Sequence, residues 1–573
     1  MTSELSKIMD LLSVNDISTI STEDRGEHAR IHRINNETTR IILSPSMVHS
    51  CKQISPSPIC RLPPELLSSI FLQYTWQWHR EYRSTSTAEI PHWVDVSYVC
   101  QYWRNVALNC TELWTHLFFV SSRWMDELLR RSKTAPLIIH ANVFCLCPDR
   151  AMRPLIKALG HMDRVQNLWI CFPINVATEV FAGLTAVPAP LLQSFHISSQ
   201  YRFEVREDIF AGVMPALRKV HLEFCQVHWL SPIFNSALME LRLCCLANHS
   251  EMDFHGLLLA LRRLSSLRQL YLDRVLSDRT MDNTRNTPVK AILPRLERFT
   301  LIGSVSSVTS LLDHFEYPRS TIVRLELECT YLDTQDLTAF RPFINDRFGD
   351  HPSLPLSPVL RQPRSLDIRR SGQWGDGWKV ACGTSNPADT YGANVHLLER
   401  DQDFPFPLQI EFTPMYGGKM ALQEIVPFLH TLPVAHLNMI TLQGDHSLFY
   451  NQCLWTEIFK DAQELCVIRL EYSEANPLIR ALQPHNMAPF AYALTDIEFK
   501  GVNFKRAVRK KHWSKWSHDH GRSGCFHCLH DALVSRAAAG NVIQRLCFDN
   551  CAGITKDCVM KLSELVGKVE WST

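Results

Sequence analysis

The sequence predicts an α/β solenoid with a curved parallel sheet, preceded by a small all-α bundle. A compact segment before residue 119 shows two apolar stripes at helical spacing. Beyond it, three apolar residues recur in the order apolar-x-x-apolar-x-apolar, and over unbroken stretches the copies advance by 21 to 29 residues. A steady period of this length is the signature of a repeat architecture, in which each unit stacks on its neighbours.

Composition indicates a folded chain whose net charge is close to zero. Hydrophobic residues make up 46% and charged residues 20% of the 573 residues, which is too apolar for a disordered protein. The formal net charge is +1, so no global potential attracts the chain to nucleic acid or to an anionic membrane. We therefore expect neither a membrane nor a nucleic acid as a partner of the chain as a whole.

The cysteines and the N-terminus bear on the cellular compartment. The 19 cysteines are scattered and odd in number, unlike a secreted disulfide framework, and are typical of reduced thiols. The opening MTSELSKIMDLL lacks the cationic flank and long apolar run of a secretory signal, and no run approaches the length of a membrane span. We expect a cytoplasmic or nuclear protein, or one present in both.

The first region, residues 1–55, is polar and is expected to be partly helical. Two weak helical faces occur there, one made by Leu5, Ile8, Leu11 and Leu12, the other by Ile31, Ile34 and the run Ile41-Ile42-Leu43. Sustained heptads are absent, so a coiled coil is not predicted.

The second region, residues 56–118, is predicted to form the all-α bundle. Pro63 and Pro64 stand where proline's fixed φ suits a first helical turn. About sixty residues enclose too little interior to bury every apolar side chain, so part of the apolar stripes should face a partner. The first stripe consists of Leu62, Leu66, Leu67, Ile70 and Phe71, and the second of Val96, Val99, Cys100, Trp103 and Ala107.

The same region carries a particular order of short motifs. They are Arg61-Leu62-Pro63-Pro64-Glu65-Leu66-Leu67, then Ile70-Phe71, then Val96-Ser97-Tyr98-Val99-Cys100-Gln101-Tyr102-Trp103-Arg104-Asn105-Val106-Ala107, and Leu113-Trp114. This order resembles an F-box, in the style common among mushroom-forming fungi. The resemblance implies that the first motif begins a helix that docks onto a Skp-type adaptor. It implies adaptor-binding roles for Leu62, Pro63, Leu66, Leu67, Ile70, Val99, Cys100 and Trp103. Cys110-Thr111-Glu112 stands where the family usually has proline before the Leu-Trp pair.

The third region, residues 119–573, holds the repeats. The copies are Val165-Leu168-Ile170, Leu192-Phe195-Ile197, Leu217-Val220-Leu222, Leu238-Leu241-Leu243, Leu267-Leu270-Leu272, Leu296-Phe299-Leu301, Ile322-Leu325-Leu327, Leu437-Ile440-Leu442, Leu465-Ile468-Leu470, Leu494-Ile497-Phe499 and Ile543-Leu546-Phe548. One unit of about 25 residues buries too little apolar surface to offset its own ordering, so the units must stabilise one another by stacking. The pattern resembles the irregular, longer-period leucine-rich repeats often found behind F-boxes, with Cys225, Cys245 and Cys329 near strand ends in place of the usual asparagine.

Two insertions are predicted to interrupt the array, at 341–407 and 505–540. The first contains several prolines and the glycine-rich stretch 372–378. Insertions in solenoids tend to emerge as loops on one face, frequently the binding face. A disordered spacer is the alternative, and the sequence leaves both open.

The second insertion contains a dense cluster over residues 505–530. Basic residues there surround Trp513 and Trp516, a pattern that also occurs in phosphate or nucleic-acid binding. The weak candidate zinc ligands are Cys525, Cys528, His520 and His530, but Cys525-x-x-Cys528 has no second half at the usual spacing. We favour a solvated loop, and predict no metal site and no cofactor.

The resemblance to an F-box implies that the chain is a substrate-recognition subunit of a Skp–cullin–F-box ubiquitin ligase. The resemblance implies that the bundle docks the Skp-type adaptor, and through it a cullin, while the array binds a protein substrate of unknown identity. No catalytic motif is readable, so we expect no catalytic residues and no enzymatic activity. Two alternatives stay open. One is a leucine-rich-repeat scaffold without a ligase role, whose bundle caps the first repeat. The other is a metal- or nucleic-acid-dependent activity centred on 505–530.

Overall fold

The structure is a computed structural model. It describes residues 61–81, 92–117, 119, 122–143, 148–246, 251–275, 289–330, 333–349, 362–371, 376–384, 406–415, 419–444, 455, 457–483, 490–505 and 525–572. The predicted N-terminal segment 1–55 and the basic-aromatic stretch 506–524 lie outside the described residues.

Helices open the described part of the chain and then alternate with strands. None of the helices in these ranges has both the length and the apolar character that crossing a bilayer requires. The α-helices are α1 (Pro64–Glu81), α2 (Gln101–Asn109), α3 (Ser122–Ser132), α4 (Pro148–Leu159), α5 (Ala177–Thr185), α6 (Glu251–Arg262), α7 (Val305–Asp313), α8 (Arg341–Phe348), α9 (Leu422–Leu429), α10 (Asn476–Ala481), α11 (Cys525–Ala538) and α12 (Lys556–Ser563). Short 3-10 helices lie at His92–Tyr98, Thr111–Trp114, Met162–Arg164, Ile174–Val176, Ile209–Gly212 and Asp333–Phe340.

The strands form one large sheet and one small pair. The small parallel pair consists of β8 (Ala291–Ile292) and β10 (Phe315–Glu316). The large sheet has 17 strands among the described residues. They are β1 (His116–Leu117), β2 (Leu137–Asn142), β3 (Val165–Phe172), β4 (Ser194–Val205), β5 (Lys219–Val227), β6 (Glu240–Cys244), β7 (Gln269–Asp273), β9 (Arg298–Ser304), β11 (Ile322–Cys329), β12 (Ser365–Ser371), β13 (Gly377–Gly383), β14 (Leu408–Pro414), β15 (Met439–Gln443), β16 (Val467–Glu471), β17 (Asp496–Lys500), β18 (Arg545–Asp549) and β19 (Lys568–Ser572).

Neighbouring strands in this sheet largely follow the order of the chain. Pairing runs from β1 to β7, then to β9 and β11, then through β14, β13 and β12, and finally from β15 to β19. Every neighbour pairs in parallel except β13, which is antiparallel to both β12 and β14. The predicted parallel sheet is therefore a mixed sheet.

The antiparallel strand belongs to the first predicted insertion. Residues 341–407 contribute α8, β12 and β13, so part of this segment continues the sheet instead of forming a loop or a spacer. Leu366 and Ile368 of β12 and Trp378 and Val380 of β13 are buried, and so are Asp367 and Ala381 beside them. Because neighbouring residues of a strand point to opposite faces, both faces of these strands are covered in part. The apolar period of the sequence does not mark these two strands, because a short antiparallel hairpin has no repeat of its own.

The recurring apolar triads point into the core, as predicted. Leu168 and Ile170 of β3 lie beside Phe195 and Ile197 of β4, and all four are buried. The first member of most triads closes a turn before the strand. The Leu192 amide, for example, donates to the carbonyl oxygen of Ala189. Identical turns before successive strands keep those strands in one register.

One triad position was predicted wrongly. Ile322 is exposed, and the neighbouring Val323 is buried beside Phe299 of β9. The reason is the register. The triads align Leu325 with Phe299, but in the structure Leu325 pairs with Leu301, two residues further along β9.

A left-handed residue ends several of the parallel strands. Cys245, Arg274, Tyr472, Gly501 and Asn550 each follow a strand and have positive φ. In each case the amide of this residue donates to a carbonyl oxygen of the next strand. The acceptor is the last residue of that strand, as Asp273 is for Cys245 at 2.7 Å, except that Arg274 donates to Ile302 inside β9. The strained conformation is thus offset by a hydrogen bond that continues the ladder by one residue.

Arginines on the connecting segments form hydrogen bonds to the backbone of neighbouring units. Arg536 of α11 is 1% exposed and donates to the carbonyl oxygens of Phe490 and Ala491, at 2.8 and 2.9 Å. Arg347 of α8 donates in the same way to Thr321. Each guanidinium supplies donors to loop carbonyls that the sheet cannot satisfy.

Candidate functional site

The first bundle helix begins at the proline pair. α1 starts at Pro64, and the Leu67 amide donates to the Pro63 carbonyl oxygen at 3.1 Å. Proline at this position loses nothing, because its missing N–H would have no partner inside the helix. The predicted start of the helix is confirmed.

The first apolar stripe divides into an inner and an outer row. Leu67 and Phe71, four residues apart, are 0% and 1% exposed. Leu66 is 48% exposed, while Leu62 and Ile70 are half-buried. Because residues four apart share a helix face, Leu66 and Ile70 lie on the same side of α1, and Leu62 lies just before the helix. We call these three residues the outer row of α1.

The second helix is capped by a cysteine. The Cys100 sulfur accepts a hydrogen bond from the Trp103 amide at 3.4 Å, at the start of α2. Trp103 turns inward, with its ring centroid 5.0 Å from that of Phe71. Of the predicted adaptor-binding residues, Leu67 and Trp103 thus belong to the interior of the bundle, and Cys100 holds the end of a helix.

A hydrogen bond joins the starts of the two helices. The Tyr102 hydroxyl donates to the Leu62 carbonyl oxygen at 2.6 Å. This contact places the beginning of α2 against the segment that leads into α1. Pro63 is exposed beside it.

Two large apolar residues precede α2 at the surface. Tyr98 is 66% exposed and Val99 is 60% exposed. The Arg104 guanidinium lies 5.8 Å from the centre of the Tyr98 ring and donates to the Ser97 carbonyl oxygen at 2.8 Å. Sequence reasoning named Val99 but gave Tyr98 no role. The sequence feature that could have pointed to Tyr98 is its place as an aromatic residue just before α2, outside the apolar stripe of that helix.

The bundle continues directly into the large sheet. Trp114 is buried, donates through Nε1 to the Ala107 carbonyl oxygen at 2.9 Å, and lies 4.1 Å below the guanidinium of Arg131 in α3. β1 follows two residues later and pairs with β2, where the Ile138 amide donates to Thr115. The bundle and the first units of the sheet therefore share one apolar core.

The departure from the family's proline is also accommodated. Cys110 is buried between α2 and the 3-10 helix Thr111–Trp114, and burial raises the pKa of its thiol. Its amide donates to the Val106 carbonyl oxygen at 3.0 Å. This bond ends α2 and leaves Leu113 and Trp114 in the core.

Comparison with known proteins agrees with this arrangement. Residues 59–120 match the family model described as F-box-like. The chain therefore carries an F-box-like domain, followed by a large mixed sheet with many helices. No curated protein matches the chain closely enough to be reported.

The weak zinc candidates of the second insertion do not form a described cluster. Cys528 and His530 lie two residues apart on α11, and His530 Nδ1 is 3.6 Å from a carboxylate oxygen of Asp531. The side chain of Cys525 and the whole of His520 lie outside the described residues.

The outer face of the sheet, opposite the core, carries polar and aromatic rows. At its C-terminal end Arg545 contacts Glu498 at 2.6 Å and Glu570 at 2.8 Å. The hydrogen bonds from Arg545 and Lys568 lower the pKa of Glu570 to about 2. Because burial is only partial here, these pairs stabilise the fold modestly.

At the N-terminal end of this face lies a row of five histidine, tryptophan and tyrosine side chains and one arginine. Successive strands β2 to β7 place the row in register, as His140, Trp169, His196, His221, Arg242 and Tyr271. The first two rings are stacked at 4.0 Å, and the rings of His196 and His221 are 3.9 Å apart. Burial and neighbouring charges lower the pKa of His196 to about 3 and of His221 to about 4, which keeps both imidazoles neutral at pH 7.

Proposed function

We propose that this chain is a substrate-recognition subunit of a Skp–cullin–F-box ubiquitin ligase. The observation that carries the proposal is the outer row of α1, in which Leu66 is exposed and Leu62 and Ile70 are half-buried, on an F-box-like bundle whose inner row fills its own core. Moving a Leu side chain from full exposure to full burial contributes about 1.5–3 kcal/mol. Because 48% of Leu66 is exposed, a partner that covers the row gains part of this free energy from that residue. The Skp-type adaptor is the partner that the F-box-like match supports.

The proposed docking surface contains only some residues of the two apolar stripes, and it adds residues beside them. It consists of Leu62, Leu66 and Ile70 with Pro63, together with Tyr98 and Val99 before α2. Leu67, Cys100 and Trp103 would act indirectly, by holding α1 and α2 in place.

The remainder of the chain would present the substrate. We propose that it is an irregular leucine-rich-repeat solenoid, supported by the sheet order, the inward triads and the recurring turns. Ubiquitin transfer would be catalysed by other subunits, and this chain would contribute proximity rather than chemistry of its own. A reducing compartment, cytoplasm or nucleus, is supported by the free thiols of the cysteines whose side chains the structure describes.

The test is co-purification of the Skp-type adaptor with the double variant Leu66→Asp, Ile70→Asp. Two carboxylates on the outer row should abolish binding, because burying them against an apolar partner is costly. The matched control is Leu230→Asp with Ile292→Asp, since these residues are 70% and 52% exposed far along the chain. Adaptor binding that survives in the first variant would refute the proposal.

A second function is favoured by the shared core. If the bundle serves only to cap the array, the chain is a binding scaffold without a ligase role. Trp114 under Arg131 and the β1–β2 pairing support such a capping role. Deleting residues 56–118 should then destabilise the remainder, while the outer-row double variant should leave both stability and substrate binding unchanged and the adaptor should not bind the wild-type chain.

A further inference from the structure

We propose that His196, His221 and Glu223 form a binding site for a divalent cation of the zinc class on the outer face of the sheet. One potential ligand atom from each residue lies within 4.8 Å of the others. Among the residues that the structure describes, no other group of three histidine, cysteine or acidic residues has its ligand atoms this close together. The site does not depend on the proposed adaptor docking.

The sheet register creates the cluster. His196 of β4 lies beside His221 of β5, and Glu223 follows two positions later, so all three side chains leave the same face. In parallel strands held by hydrogen bonds, these backbone positions are fixed. A cation therefore finds its ligands already assembled, and little ordering is needed on binding.

The chemistry of the donor set selects the class of cation. Two imidazole nitrogens and one carboxylate oxygen suit Zn²⁺ and its neighbours among the transition metals, whereas Ca²⁺ and Mg²⁺ prefer oxygen ligands alone. Three protein ligands leave a further coordination position for water or for a side chain of a bound partner.

Neighbouring side chains hold the ligands in place. The His221 Nε2 atom lies 3.4 Å from the sulfur of Cys244. Contacts of this kind from a neighbouring side chain restrict the orientation of a ligating histidine. On the other side, the ring of Trp169 lies 5.2 Å from that of His196 and is itself stacked on His140.

The nearest cation in the row is already paired. Arg242 follows His221 on β6, and its Nε atom contacts a Glu240 oxygen at 2.9 Å while the guanidinium lies over the Tyr271 ring. Its charge is therefore partly neutralised before a metal ion approaches.

The experiment is a titration of the metal-free full chain with Co²⁺, followed by visible absorption, with competition by Zn²⁺. We expect one equivalent of Co²⁺ to bind with the intense bands of low-coordinate cobalt. The variants His196→Gln and Glu223→Gln should weaken this binding at least tenfold, and Zn²⁺ should displace the cobalt.

The control variants are His140→Gln, in the same row but outside the cluster, and the outer-row double variant of α1. Both should keep the wild-type cobalt spectrum. A wild-type spectrum in the second variant would show that metal binding does not depend on the residues proposed for adaptor docking. Circular dichroism of the metal-free proteins checks folding, and the near-isosteric Glu223→Gln keeps the test decisive if His196→Gln fails to fold. Wild-type affinity and spectrum in Glu223→Gln would overturn the proposal.

Discussion

The Tyr102 hydroxyl donates to the Leu62 carbonyl oxygen at 2.6 Å, across forty positions of the chain. Through this bond the start of α2 fixes the segment that leads into α1. The position of Leu62, at the head of the proposed docking row, therefore depends on a residue of the other helix.

The first prediction concerns this bond. Tyr102→Phe should lower the free energy of unfolding by about 1 kcal/mol, the usual net contribution of such a bond. It should also weaken adaptor binding, because Leu62 loses its support. Urea unfolding and adaptor titration measure the two effects. Tyr98→Phe, at a 66% exposed position, is the control for stability, and an equal loss there would contradict the assignment.

The second prediction separates the two rows of α1. Leu67→Ala should cost about 2–5 kcal/mol of unfolding free energy, because Leu67 is fully buried. Leu66→Ala should change stability by less than about 0.5 kcal/mol and yet weaken adaptor binding. Denaturant unfolding and binding assays on the matched pair check this. Similar stability losses in both variants would show that the rows are assigned wrongly.

The third prediction concerns the buried guanidinium of α11. Arg536→Met should lower the unfolding free energy by about 2–4 kcal/mol, because the carbonyl oxygens of Phe490 and Ala491 would lose their donors. Arg262→Met, at an exposed position of α6, is the matched control and should be nearly neutral. Thermal unfolding of the two variants gives the comparison. Equal melting temperatures would refute the role of Arg536.

The fourth prediction is a pH dependence that arises in the histidine row. The folded-state pKa values of His196 and His221 are lowered to about 3 and about 4, by burial first and then by charge. Arg242 lowers the pKa of both histidines. His140 and His221 also lower the pKa of His196, whereas Glu240 raises that of His221. The unfolded chain therefore binds more protons than the folded chain below about pH 6.5.

Stability contributed by this row is consequently complete above about pH 6.5 and is lost as pH falls toward 4. His196→Gln should flatten the dependence of the unfolding free energy on pH between 5 and 7. Urea unfolding at a series of pH values measures the slope. A slope as steep as that of the wild-type chain would contradict the prediction.

The sequence predicted those features that are encoded locally. Pro64 marks the start of α1, and triads such as Leu168-Ile170 mark strands, because turn chemistry and apolar spacing act within one unit. It could not separate Leu66 from Leu67, since both belong to one apolar stripe and only packing against Phe71 and Trp103 decides which residue turns inward.

Features that depend on contacts between units were missed for a physical reason. His196 and His221 are distant in sequence and meet only through the register of β4 and β5. Arg536 shows no pattern because its partners are backbone carbonyls, which every residue has. The hairpin of β12 and β13 was missed because its strands break the parallel period.

That hairpin has a consequence for folding during synthesis. Strands up to β11 can each join the sheet as they leave the ribosome, because their partner precedes them in the chain. The next neighbour of β11 is β14, so the β11 edge waits for a partner until residues as far as Pro414 have emerged. Exposed strand edges invite pairing with other chains. The interval between β11 and β14 is therefore where the nascent chain most needs protection by a chaperone.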